Sequence, residues 1–114
     1  MKVEITSDSG LVFYRRADNA DGQLVPFHQT GSMCMTSASI TDTVFSISVD
    51  GQLGGYCLFN GGNVTLDMSK FQQNAAVLGR TNIPMYLVLE PARLVMYNKD
   101  GVAAMWYNLP TAQR

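Results

Sequence analysis

TVFSISVDGQLGGYCLFNGGN, residues 43–63, decides the fold. Its first seven residues alternate, with Phe45, Ile47 and Val49 on one side and Val44, Ser46 and Ser48 on the other. That period-2 pattern belongs to a strand with one face on a core. Asp50-Gly51 follows, and Asp-Gly between alternating apolar runs signals a β-hairpin, because both residues tolerate positive φ. A two-residue loop there pairs Val49 with Gln52, Ile47 with Gly54 and Phe45 with Tyr56. Gly54 and Gly55 then fall inside a strand, where glycine costs roughly 0.5–1 kcal/mol relative to alanine. Such a pair marks a bulge, or the close approach of another backbone, a ligand or a second subunit. Asn60-Gly61-Gly62-Asn63 reads as a turn. The glycines do not read as a phosphate loop. No Lys-Ser/Thr follows them, and no strand–loop–helix unit surrounds them.

Working outward, the same grammar recurs. Leu11–Arg16 precedes Asp21-Gly22, and Arg93–Asn98 precedes Asp100-Gly101, although uneven spacing argues against a true repeat. With Asp100-Gly101 at the tip, Tyr97 faces Ala104, Val95 faces Trp106 and Arg93 faces Asn108. Leu94, Met96, Met105 and Tyr107 take the opposite side. Both faces are bulky and apolar, so one needs a cover beyond the single core of a small domain. MYLVLEP, residues 85–91, adds a strand that Pro91 ends. The first hairpin has a longer loop, and Pro26 confines its returning strand to an edge. Met33–Met35 reads as a short strand. Ser69 with Gln72 resembles a capping box, and Phe71, Ala75 and Leu78 recur at helical spacing before Gly79, which predicts one short helix near 70–78. The expected fold is mainly β: a single domain over 1–114, an antiparallel sandwich or partly open barrel of seven to eight short strands. An OB-type barrel is the alternative.

Composition narrows the function classes. The 114 residues carry a net charge of −1 and only 15% charged residues, which disfavours bulk attraction to nucleic acid or an anionic membrane. No apolar stretch reaches membrane-helix length and no signal-peptide pattern opens the chain, so a cytoplasmic protein or a component of a virion or other assembly is expected. In that setting Cys34 and Cys57 are expected as buried thiols, with a disulfide as the minority reading.

Catalytic sets are missing from the sequence. His28 is the one histidine, no nucleophile elbow is present, and one His with two separated Cys cannot complete a zinc site. ADNADG, residues 17–22, lacks the first and last ligands of a calcium loop. The expectation is a chain without enzymatic activity, metal or cofactor, whose His28 is replaceable. Its function is expected to be protein–protein interaction or assembly, as in virion, phage-accessory or inhibitor proteins. The expected partners are a second copy and another protein, meeting at Arg93, Val95, Tyr97 and Trp106 and at Gly54, Gly55 and Tyr56. Seven methionines suit adaptable surfaces as well as cores. One alternative is single-stranded nucleic-acid binding through Phe13, Tyr14, Arg15 and Arg16. Another is a small-molecule barrel with a pocket near Trp106.

Overall fold

The computed structural model describes residues 1–17, 22–48, 52–77 and 85–110. Val49, Asp50 and Gly51 of the second hairpin, Asp21 of the first, and Leu78 and Gly79 of the expected helix end lie outside them. The described residues form ten strands in three antiparallel sheets that do not close into a barrel. The first sheet is β1 (Lys2–Thr6), β2 (Gly10–Arg16) and β3 (Leu24–Gln29), in that order. The second is β4 (Ile40–Ile47), β5 (Leu53–Phe59) and β6 (Gly62–Thr65). The third is ordered β7 (Gln72–Gln73), β10 (Ala103–Asn108), β9 (Arg93–Tyr97) and β8 (Tyr86–Glu90). Each sheet is therefore built around an up-and-down meander, and the count exceeds the expected seven or eight because β1 and the two-residue β7 give weak periodic signals.

Several local expectations hold. Pro26 lies on the edge strand β3, beside a register shift in its pairing with β2. Pro91 ends β8, and the chain returns at once, with Glu90 opposite Arg93. Asn60-Gly61 forms the tight link between β5 and β6, with Phe59 opposite Gly62 and Gly61 at φ +98°.

The hairpin closures differ from a two-residue loop. At the β9–β10 tip, Gly101 N–H donates to Asn98 O (3.0 Å), Asn98 N–H to Val102 O (2.9 Å), and Gly101 has φ +78°. That is a three-residue loop, a type I turn followed by a left-handed glycine, rather than a two-residue type I′ turn. Asn98, buried, reinforces it by accepting from the Asp100 and Val102 N–H groups through Oδ1, both at 2.9 Å. Tyr97 consequently faces Ala103, not Ala104; a bulge between Ala103 and Met105 then restores the expected Val95–Trp106 and Arg93–Asn108 pairs. In the second hairpin Ser48 N–H donates to Gln52 O (2.8 Å), the same closure. No bulge follows near the tip, so Ile47 pairs with Leu53, Ser46 with Gly54 and Phe45 with Gly55, one residue off the expected register.

The expected helix over 70–78 is absent from its described part. Phe71 is anchored in the core, Gln72 and Gln73 pair with Trp106 and Met105, and Asn74 N–H extends the ladder to Ala104 O at 2.8 Å. The open edge of β10 offers backbone partners that a lone short helix lacks, and tertiary pairing overrides local propensity. The Ser69 cap is also diverted, its N–H bonding Asp67 Oδ1 (3.1 Å).

The cysteines are joined, Cys34 to Cys57, with Cα atoms 5.9 Å apart, which corrects the expectation of two thiols. Met33–Met35 is not a strand but contributes one bridge, Cys34 to Leu66, and this lays Cys34 beside the central strand β5.

The core lies where the sheets' inner faces meet: Leu11 and Phe13 from the first, Leu53 and Cys57 from the second, Leu94, Met96, Ala104 and Met105 from the third. A chain of rings runs through it. Phe13 stacks on Tyr107 (5.8 Å, 8°), Tyr107 meets Phe71 (5.5 Å), and Phe71 meets Phe45 (6.3 Å). β2, β10 and β4 are thereby linked, one strand from each sheet. No helix among the described residues is long and apolar enough to cross a membrane.

Candidate interaction surface

The side of the third sheet facing away from this core is built by strict alternation. Leu94 and Met96 of β9 point inward, so Arg93, Val95 and Tyr97 point outward. Cross-strand pairing adds Tyr86, Val88 and Glu90 from β8 and Trp106 from β10. Val95 is fully buried without belonging to the main core, between Val88 and Trp106 on its own face. Tyr86 is 48% exposed.

Arg93 organises this face. Its guanidinium lies over the Trp106 ring (5.9 Å to the centroid) and the Tyr97 ring (6.0 Å). Its Nε reaches Glu90 Oε1 at 3.2 Å, and Nη2 donates to the Tyr97 hydroxyl at 3.3 Å. That hydroxyl donates to Glu90 Oε2. The Tyr97 hydroxyl, and then Arg93, hold the Glu90 carboxyl below its ordinary value. Tyr86 packs against Tyr97 with ring centroids 5.6 Å apart. The arrangement is a flat aromatic surface with one neutralised ion pair in its middle. It offers stacking and apolar contact.

The other residues singled out from the sequence are dispersed. Gly54, Gly55 and Tyr56 lie on β5, in the second sheet, apart from the Arg93 cluster. Gly55, at φ +149°, has a structural reason for being glycine: a Cβ would sit 1.9 Å from Val44 O. The close approach is by the chain's own backbone. Gly54 has open space around it, and Tyr56 is 40% exposed.

The four residues of the nucleic-acid alternative do not share an exposed surface. Phe13 is 0% exposed inside the ring chain. Tyr14 donates to Glu4 Oε1 (2.9 Å) beneath the Lys2 ammonium, and Arg16 donates to Gly22 O (2.6 Å).

An open groove of about 410 Å³ is lined by Pro26, Phe27, His28 and Gln29, on the first sheet. His28 there is a structural group. Its Nε2 lies 2.6 Å from the Tyr107 hydroxyl, and its ring sits beside Phe13 and Tyr107. Burial, and then Lys70, lower its pKa, while burial raises that of Tyr107. The neutral imidazole and the Tyr107 hydroxyl share one hydrogen bond, whose direction follows the tautomer of the ring. This bond is not legible in the sequence, since nothing in the order of residues places β3 against β10. Among the described residues no group of three or more His, Cys, Asp or Glu is placed to hold a metal ion. No protein-family model matches the chain, and neither the curated proteins nor the solved structures contain a match to it.

Proposed function

We propose that this chain is a non-catalytic assembly module that associates with a second copy of itself through the third sheet. The observation that supports this reading is that the third sheet carries apolar bulk on both sides and out to its edge: Trp106, Tyr97, Tyr86 and Val88 gather around Arg93 on the outer side, and Tyr86 and Leu87 of β8 are 48% and 37% exposed. Aromatic residues and arginine are the types enriched at protein interfaces, and large exposed apolar patches mark them. The molecule is also a slab, 45 × 40 × 18 Å, which presents broad faces rather than a deep cleft. With 15% charged residues and a net charge of −1, little repulsion opposes the meeting of identical surfaces. A closed two-fold dimer is the simplest product. The Cys34–Cys57 bond favours an oxidising surrounding over a reducing cytoplasm.

Light scattering coupled to size exclusion tests the proposal. The expected result at micromolar concentration is a particle of twice the 12.5 kDa chain mass. A particle of single-chain mass across that range overturns it.

A further inference from the structure

We infer that the second copy joins along the edge of β8 that no strand of the described residues covers, pairing Tyr86–Glu90 antiparallel with the same strand of its partner. This rests on the reading that the third sheet is where copies meet, and it specifies edge rather than face.

The first ground is that β8 differs from every other edge strand of the described structure. An edge carries unpaired N–H and C=O groups, and proteins blunt it with charge, proline, bulges or brevity. β1 carries Lys2 and Glu4 as an ion pair at 3.1 Å. β3 contains Pro26 beside a register shift. β4 carries Asp42 next to a register shift between Ile40 and Asp42. β6 has four residues and β7 two. β8, YLVLE, has none of these devices. It pairs with β9 in unbroken register, contains no proline, and its one charge, Glu90, is tied back to Arg93 and Tyr97.

The second ground is that the core stops short at this edge. Leu87 stands on the inner side, opposite the fully buried Met96, yet is 37% exposed. Its neighbour on that side, Leu89, packs on the core. The strand is also self-complementary. A two-fold axis through Val88 pairs all five residues: Leu87 with the partner's Leu89 on the inner side, and Val88 with the partner's Val88 on the outer. Tyr86 then meets the partner's Glu90, whose carboxylate has acceptor sites beyond those used by Tyr97 and Arg93. Every other register that keeps inner with inner leaves part of the strand unpaired. The product is one eight-stranded sheet in which the core of each copy continues into the other and the two aromatic faces lie side by side.

Four proteins test this by light scattering with size exclusion, with thermal unfolding as a check on folding. Leu87→Lys places on β8 the kind of charge that blunts other edges, at a position exposed in the monomer; the folded variant is expected at single-chain mass. Val88→Cys, oxidised, is expected to form a covalent dimer through the residue on the axis, whereas Thr41→Cys on the β4 edge is not. Trp106→Ala is expected to remain dimeric. A dimer that survives Leu87→Lys and fails with Trp106→Ala overturns the edge and leaves the self-association reading standing. A dimer in which Val88→Cys does not cross-link overturns the register. A wild-type monomer overturns both.

Discussion

Two aromatic clusters occupy opposite sides of the same two strands. On the inner side of β9 and β10, Tyr107 touches Phe13 and Phe71, and through them three sheets are tied together. On the outer side, Trp106, Tyr97 and Tyr86 are gathered by Arg93, all from one sheet. The residue types are alike; what differs is what the rest of the chain delivers to each side. The inner rings gain their burial from the other sheets. The outer ones are covered by their own neighbours on the same sheet, and an ion pair with a hydroxyl fills the space a second layer would take. A strand with bulk on both faces thus becomes core on the side where partners arrive.

The sharpest break of this comparison is a pair of truncations. Phe13→Ala removes a fully buried ring from the joint between sheets and is expected to cost about 3–5 kcal/mol, which threatens folding outright. Trp106→Ala removes a partly buried ring whose named contacts come from its own sheet and is expected to cost roughly 1–2 kcal/mol of monomer stability. Chemical denaturation of both variants measures the difference. Equal losses mean that the outer cluster holds the fold as firmly as the inner one and is not a spare surface.

An effect between those two is expected from the Cys34–Cys57 bond, which fastens the segment after β3 to β5, beside the inner cluster. The sequence separation is 23 residues, and closing a loop of that size in the unfolded chain is worth about 3 kcal/mol. Reduction, or the double substitution Cys34→Ser with Cys57→Ser, should lower the denaturation midpoint accordingly. A thiol assay on the unfolded, unreduced protein should detect no free cysteine. Two free thiols in protein recovered under oxidising conditions contradict the pairing.

How far these features were legible depends on their range. The β class, the hairpin positions, the edge placement of Pro26, the stop at Pro91 and the Val95–Trp106 pair follow from alternation and turn chemistry, which act over a few residues. The second hairpin's register failed by one residue, because Ser48 closes on Gln52, whereas a two-residue loop would pair Val49 with Gln52. The helix near 70–78 failed because Phe71 anchors that segment where Gln72 and Gln73 meet the open edge of β10. The disulfide was missed because a single bridge, Cys34 to Leu66, brings the pair together. The surface residues were half legible. Arg93, Val95, Tyr97 and Trp106 share one face as alternation requires, while Gly54, Gly55 and Tyr56 belong to another sheet. The edge strand β8 was read as a strand, but its lack of blunting shows only against the other edges.

The smallest effect concerns the polar tail of the inner cluster, the bond from Tyr107 to His28. The sequence alone made His28 replaceable, whereas the structure gives it a partner at 2.6 Å. Loss of one such hydrogen bond costs about 1 kcal/mol, so His28→Gln should be measurably but mildly destabilised at neutral pH. The pH dependence carries the sign. The folded-state pKa of His28 lies below its ordinary value of 6.5, so between the two values the unfolded chain binds the extra proton. Stability from this group is therefore complete above pH 6.5 and is lost as the pH falls through the folded value. Charging the ring is opposed by its burial and then by the positive charge of Lys70. Denaturation midpoints taken in small steps from neutral pH downward should fall in the wild type and fall less in His28→Gln. Parallel curves for the two proteins mean that the site does not favour the neutral imidazole. The inner cluster would then end, like the outer one, in a polar group that the fold does not need.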